Sequence, residues 1–144
     1  MIVKQIDAKD TYSIRNQMLR PGLPESTCHF EGDHDELTLH LGAYIDNQLA
    51  SVASFYLQCN SSFCQEYQMQ LRGMATLPQY QAKGLSSALL RTAFPLIKKN
   101  HINVLWCNAR SGAVGFYQKS DFEKIGSEFN INGVGPHFLM FKQI

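Results

Sequence analysis

The chain has 144 residues, 44% hydrophobic and 17% charged, which suits one globular domain with its own core and excludes a disordered or fibrous chain. Thirteen basic residues against twelve acidic ones leave a formal net charge of +1, so no bulk attraction to nucleic acid or to an acidic membrane is expected. Cys28, Cys59, Cys64 and Cys107 form no C-x-x-C pair, the N-terminus lacks a signal-peptide pattern and no apolar run spans a bilayer, so a reducing, cytoplasmic setting is expected.

Ile2 to Ile6 alternates as a short strand, and Asp10 or Thr11 can cap a helix carrying Ile14, Met18 and Leu19. Pro21, Gly22 and Pro24 end that helix. The polar connection from Arg20 to Glu36 is long enough to suggest function. Its Cys28, His29, Asp33, His34 and Glu36 match no familiar metal-ligand spacing, and no metal is expected. Leu37 to Ile45 and Leu49 to Leu57 read as strands joined by a turn at Asp46-Asn47-Gln48. Phe63 to Ala75 reads as a longer strand, with Tyr67, Met69 and Leu71 on one face and Gln68, Gln70 and Arg72 on the other.

A helix is expected from Gly84, with Leu85, Ala88, Leu89, Thr92, Ala93 and Leu96 along its apolar stripe and Asn100 as its stop. Pro95 lies inside it, where a proline costs about 3 kcal/mol, so a kink or an early end is expected. Ile102 to Cys107 is a nearly continuous apolar strand, and Ser111 to Lys119 a short helix. The strand Phe122 to Phe129, a turn at Asn132-Gly133 and the strand His137 to Phe141 close the chain.

The segment Leu77-Pro78-Gln79-Tyr80-Gln81-Ala82-Lys83-Gly84-Leu85-Ser86 thus joins a strand to a helix. Such a junction binds phosphates, because the N–H groups of a first helical turn lack intrahelical partners and add to the positive end of the helix dipole. A glycine at 84 lets the phosphate approach the backbone. Lys83 precedes Gly84, so the Gly-Lys-Ser/Thr order of a nucleotide hydrolase is absent. Alone, Gln81-x-x-Gly84-x-Ser86 is a weak signal that a simple tight turn would also satisfy. It is preceded by a strand ending Arg72-Gly73-Met74-Ala75-Thr76 and followed by Cys107-Asn108-Ala109-Arg110 and Ala113-x-x-Phe116-Tyr117.

In that combination the chain resembles the GNAT superfamily of acyl-CoA-dependent N-acetyltransferases over nearly its whole length. Ser86 departs from the Gly/Ala of the Gln/Arg-x-x-Gly-x-Gly/Ala signature. The resemblance implies an α/β fold of three layers over residues 1–144, one acetyltransferase domain. Its mixed, mostly antiparallel central sheet is flanked by helices and split between two parallel strands. It also implies transfer of an acetyl group from acetyl-CoA, as co-substrate, to a primary amine of a small molecule or peptide, with a homodimer left open.

Under the resemblance, Met74, Ala75 and Thr76 would meet the pantetheine arm through main-chain groups. Gln81, Ala82, Lys83, Gly84, Leu85 and Ser86 would cradle the pyrophosphate, and Asn108, Phe116 and Tyr117 would line the arm. Tyr117 would be the acid: a phenol of reference pKa about 10 is still protonated when a thiolate of about 8.5 leaves. The alternative for Tyr117 is half-buried packing on an amphipathic helix, and for Asn108 simple strand termination. Glu66, His137 and His40 are the candidates for a base acting through water, unless the amine arrives neutral. Some family members carry a glutamate in the middle of the strand before the loop, where this chain reads Gln68-Met69-Gln70-Leu71-Arg72. A cofactor-binding module without transfer is therefore the alternative. The Arg20 to Glu36 loop, with Arg15, is expected to shape the acceptor pocket, and Arg72 either pairs with an acidic neighbour or meets the substrate.

Overall fold

The computed structural model describes residues 1–144. In chain order the elements are β1 (Ile2–Gln5), α1 (Ala8–Leu19), β2 (Leu39–Ile45), β3 (Gln48–Leu57), β4 (Gln68–Thr76), α2 (Leu85–Lys99), β5 (Val104–Arg110), α3 (Val114–Gln118), β6 (Glu123–Ile131) and β7 (Gly135–Gln143). Short 3₁₀ turns lie at Glu25–Cys28, Pro78–Tyr80 and Ser111–Ala113. The strands form one seven-stranded sheet in the order β1-β2-β3-β4-β5-β7-β6. Every neighbouring pair is antiparallel except β4 with β5. No helix is long and apolar enough to cross a membrane.

Alternation along β3 separates two packed layers. Ala53 and Phe55 face a large core with Leu89, Leu90 and Ala93 of α2 and Leu105 of β5. Val52 faces the other way, onto Ile14 of α1 and Ala75 of β4.

Several local expectations shift by a few residues. α1 starts at Ala8 with Asp7 as its cap, and Asp10 serves as the reciprocal half of the capping box, its carboxylate accepting from the Asp7 N–H at 3.0 Å. In the β2–β3 hairpin only Asp46 and Asn47 turn, both at positive φ, and Gln48 already pairs with Ile45. β4 starts at Gln68, not Phe63: the Gln68 amide is buried and holds the preceding loop, donating to Gln65 O at 2.8 Å and accepting from Asn60 N–H at 2.7 Å. α2 runs through Pro95 to Lys99. Pro95 and Leu96 lie on its exposed side, where water can satisfy the carbonyl that the proline leaves without a donor, while Leu90 and Ile97 complete the buried stripe.

Candidate functional site

β4 and β5 pair only where Gln68, Met69 and Gln70 meet Val104, Leu105 and Trp106. Beyond Gln70 and Trp106 no ladder joins them, and the sheet opens between Leu71–Thr76 and Cys107–Arg110. A bulge sharpens the opening. Val52 and Ser54 of β3 pair with Ala75 and Arg72, so one residue, Ala53, opposes two, Gly73 and Met74. Gly73 sits at φ +65°, and an added Cβ would lie 3.2 Å from the Phe30 ring and 3.3 Å from Arg15 Nε, so this position excludes a side chain on both counts. A bulge leaves one residue of the Gly73–Met74 pair outside the ladder, at the lip of the cleft.

The opening carries two adjoining clefts. The one of about 580 Å³ is lined by Met74, Ala75, Thr76, Gln81, Ala82, Gly84, Leu85, Ser86, Phe116 and Tyr117, among others. Ala82 and Gly84 both have positive φ, of 59° and 82°, and α2 begins directly after Gly84. A left-handed non-glycine residue costs of order 1–3 kcal/mol, so the backbone path at Ala82 is held by its surroundings. Nothing lies within 4 Å of where a Gly84 Cβ would be, so the loop leaves open space over the helix start. The Gln81 amide donates to Thr76 O at 3.1 Å and closes the loop on the end of β4.

Ser86, the departure from the family signature, belongs to a hydroxyl chain. Ser51 Oγ donates to Ala75 O at 3.1 Å, Thr76 Oγ1 lies 2.7 Å from Ser51 Oγ, and Ser86 Oγ lies 3.2 Å from Thr76 Oγ1. Each hydroxyl has one proton, so Thr76 donates to Ser51 and Ser86 to Thr76, tying α2 to β4. Lys83 does not line the cleft, its ammonium lying 6.0 Å from the Tyr80 ring centre. Lys119 does line it, a basic residue that motif reasoning missed because it lies at the far end of α3 in sequence.

The second cleft, about 490 Å³, contains Arg72, Gly73, Met74, Cys107, Asn108, Tyr117 and His137. Met74 and Tyr117 line both clefts and mark their junction. Burial pushes the Tyr117 phenol well above its ordinary value, and the adjacent Cys107 pushes it further. Burial also raises the Cys107 thiol, to about 12, with the neighbouring Tyr117 hydroxyl opposing that rise. His137 is 4% exposed, and its Nδ1 donates to Gly135 O at 2.7 Å, since a carbonyl only accepts. That bond fixes the tautomer and leaves Nε2 as the acceptor when the ring is neutral.

The other base candidates stand elsewhere. Glu66 is exposed in the loop before β4 and lines neither cleft, because it precedes the end where β4 and β5 are still paired. His40 is buried with both nitrogens engaged: Nε2 donates to Asp33 O at 2.9 Å, and Nδ1 lies 2.6 Å from Ser54 Oγ, which must donate to it.

The Arg20–Glu36 loop closes the far side of the second cleft through Phe30 and Arg20. It is held by Arg15, fully buried, which donates to Cys28 O at 2.9 Å, to both oxygens of Asp33 at 2.7 and 3.1 Å, to Ser54 Oγ at 2.9 Å and to Tyr56 Oη at 2.9 Å. Burial pushes the Asp33 carboxyl up, but hydrogen bonds from Arg15, Tyr56 and the Phe30 N–H outweigh it and hold the group below the ordinary carboxylate range. Burial and the bond to Asp33 lift the Tyr56 phenol to about 12. Arg15 therefore anchors the loop and is not an open substrate contact. No three potential ligands among the loop's Cys, His, Asp and Glu converge on a metal position. Phe30 and Arg110 also line the second cleft, and nothing in their local sequence marks them.

Comparison with known proteins bears on the whole chain. Residues 25–143 match the family described as Acetyltransferase (GNAT) domain. A Bacillus subtilis (strain 168) protein named uncharacterized N-acetyltransferase YitI is 37% identical over 142 residues, covering 99% of this chain and 95% of its own. Among solved structures, the ribosomal-protein-alanine N-acetyltransferase of Brucella melitensis superposes with a TM-score of 0.79 at 14% identity, covering 100% of both chains. An aminoglycoside 6'-N-acetyltransferase complexed with coenzyme A gives 0.78 at 11% identity, covering 99% of this chain and 97% of the other. These structural likenesses establish the fold, whose mixed seven-stranded sheet with its β4/β5 parallel pair they share.

Proposed function

The chain belongs to the GNAT family of acetyltransferases, and from that premise we propose that residues 1–144 act as one domain carrying acetyl from acetyl-CoA to a primary amine. Acetyl-CoA is the co-substrate typical of the family, and amines are its acceptors. The observation that carries the reading is the opened β4/β5 pair, with a bulge on one lip and a glycine-bearing helix start at its end.

The residues present fit the co-substrate. The open space above Gly84 and the N–H groups from Ala82 to Ser86 suit a pyrophosphate, with Lys119 at the rim. Met74, Ala75 and Thr76 suit the amides of the pantetheine arm, which Phe116 and Asn108 would flank. Acetyl-CoA supplies the acetyl group already activated as a thioester.

Main-chain N–H groups at the Gly73–Met74 bulge donate to the carbonyl oxygen as negative charge develops there. The acceptor nitrogen adds to the thioester carbonyl carbon, forming the C–N bond and placing negative charge on the oxygen, and the C–S bond breaks as the carbonyl re-forms. His137 Nε2 takes the proton that the nitrogen sheds, directly or through water, and the Tyr117 hydroxyl gives a proton to the departing sulfur. Proton exchange with solvent restores both side chains. The same dryness that raises Tyr117 makes a thiolate there more basic, so the phenol remains a matched donor. Cys107, held as a thiol with its pKa raised to about 12, is no nucleophile, which favours direct transfer over an acyl-cysteine route. The free cysteines Cys28, Cys59, Cys64 and Cys107 suit a reducing compartment, the basis for placing the protein in the cytoplasm.

Calorimetry with CoA and thiol release from acetyl-CoA across an amine panel test the reading. Saturable CoA binding and amine-dependent thiol release are expected; binding of neither CoA nor acetyl-CoA overturns it.

A further inference from the structure

We infer that the acceptor carries an oxyanion group, carboxylate or phosphate, beside its amine, and that Arg72 and Arg20 form the clamp that holds it. The inference rests on the acetyl-transfer reading for the identity of the cleft and concerns what fills its outer half.

Arg72 and Arg20 line the cleft that contains Tyr117 and His137, and both are half-buried. Their guanidinium carbons stand 4.8 and 5.8 Å from the centre of the Phe30 ring, and Arg72 also lies 5.6 Å from the Tyr56 ring. Aromatic faces thus position the two cations, yet no protein group neutralises them. The only ion pair in the molecule joins Asp33 to Arg15; the other contact of that carboxylate, at 4.0 Å, is with the His40 ring, which burial keeps neutral. Neither the Arg72 nor the Arg20 side chain makes a hydrogen bond, whereas Arg15, packed 4.2 Å from the same ring, makes five. Asp33, the nearest carboxylate of this network, is consumed by Arg15 and Tyr56.

The rest of the lining sharpens the sign. It adds Arg110 and contains no Asp or Glu. Partly desolvated like charges gathered on one ring are unfavourable unless an anion completes the group, and a planar guanidinium presents paired donors that match a carboxylate or phosphate. A polycationic acceptor, such as an aminoglycoside, would meet only like charge here. Gln70 and Asn108 are the uncharged polar side chains left in the cleft for the amine end.

The test compares γ-aminobutyrate and 3-aminopropylphosphonate with butylamine and putrescine as acceptors, with acetyl-CoA saturating. The anionic amines should show kcat/KM at least roughly tenfold above butylamine, with putrescine poorest. Arg72→Gln and, independently of any folding defect there, Arg20→Gln should erase that preference through KM while leaving CoA affinity unchanged. Arg72→Glu should turn the preference toward putrescine. Product binding reads the clamp without turnover: N-acetyl-γ-aminobutyrate should bind the protein with CoA roughly tenfold tighter than N-butylacetamide, and Arg72→Gln should remove the difference. Absence of transfer to every amine with this binding difference intact would sink the acetyl-transfer reading and leave the clamp standing. Equal binding of charged and uncharged products, or putrescine as the best acceptor, overturns the clamp.

Discussion

At the scale of single residues, the cleft separates the ionisable groups that line it from those that lie elsewhere. Tyr117 and His137 face the same space as the Gly73–Met74 bulge, whereas Glu66 is outside it and His40 spends both ring nitrogens on structure. Tyr117→Phe keeps the ring that packs against Phe116 and Phe122 and removes only the hydroxyl. It should lower kcat roughly a hundredfold, the order of one lost general acid, with little change in CoA affinity. Steady-state kinetics and calorimetry on the same preparation check it, and an unchanged kcat removes Tyr117 from the acid role. Pairing likewise sorts the arginines. Arg15 is consumed by Asp33 and its neighbours, while Arg72 and Arg20 are left for a ligand.

At the scale of elements, the strand–loop–helix unit β4 to α2 is organised around two backbone departures. The bulge at Gly73–Met74 interrupts the ladder on the lip of the opened sheet, and the left-handed turn at Gly84 starts α2 beneath empty space. Gly84→Val should cost about 1–2 kcal/mol of stability, because a branched residue is forced to positive φ. Its side chain also enters the phosphate space, so the CoA dissociation constant should rise at least roughly tenfold. Gly126, at φ +78° in β6 with equally open surroundings, provides the control. Gly126→Val should lose comparable stability and bind CoA normally. Equal CoA affinity in the two folded variants would place the phosphate cradle elsewhere.

For the whole molecule, the Arg15–Asp33–Ser54–Tyr56–His40 network joins α1, the Arg20–Glu36 loop, β2 and β3. Burial holds His40 below its ordinary value of 6.5 despite the raising effect of its bond to Asp33 O, so the folded state prefers the neutral ring. Stability linked to it is complete above pH 6.5 and is lost as pH falls below that. Asp33 is depressed from 3.8, so its contribution is complete above that value and is lost as pH falls further, through its folded-state pKa. Denaturant unfolding should therefore show a decline on acidification in two stages. Asp33→Asn should cost about 3–5 kcal/mol at neutral pH by stranding the buried Arg15 cation, and should abolish the lower stage. An unaltered pH profile in that variant would show that the network does not govern acid stability.

The succession of strands and helices, the turn at Asp46-Asn47, the loop from Gln81 to Ser86 and the α2 stripe are legible in the chain because each is written in neighbouring residues. Hydrophobic period, turn-forming residues and a glycine at a helix start act within a few positions. Where β4 begins depends on Gln68 folding back on its loop, and whether Pro95 breaks α2 depends on which side of the helix meets solvent. The sequence by itself determined the α/β order and the strand–loop–helix junction at Gly84. Only the tertiary structure decided which ionisable groups face the cleft. Arg15 finds its partners 13 to 41 residues away, and Arg72 and Arg20 meet on the ring of Phe30 from separate elements. Charge pairing of this kind is long-range in the chain and short-range in space, so it appears only once the chain has folded.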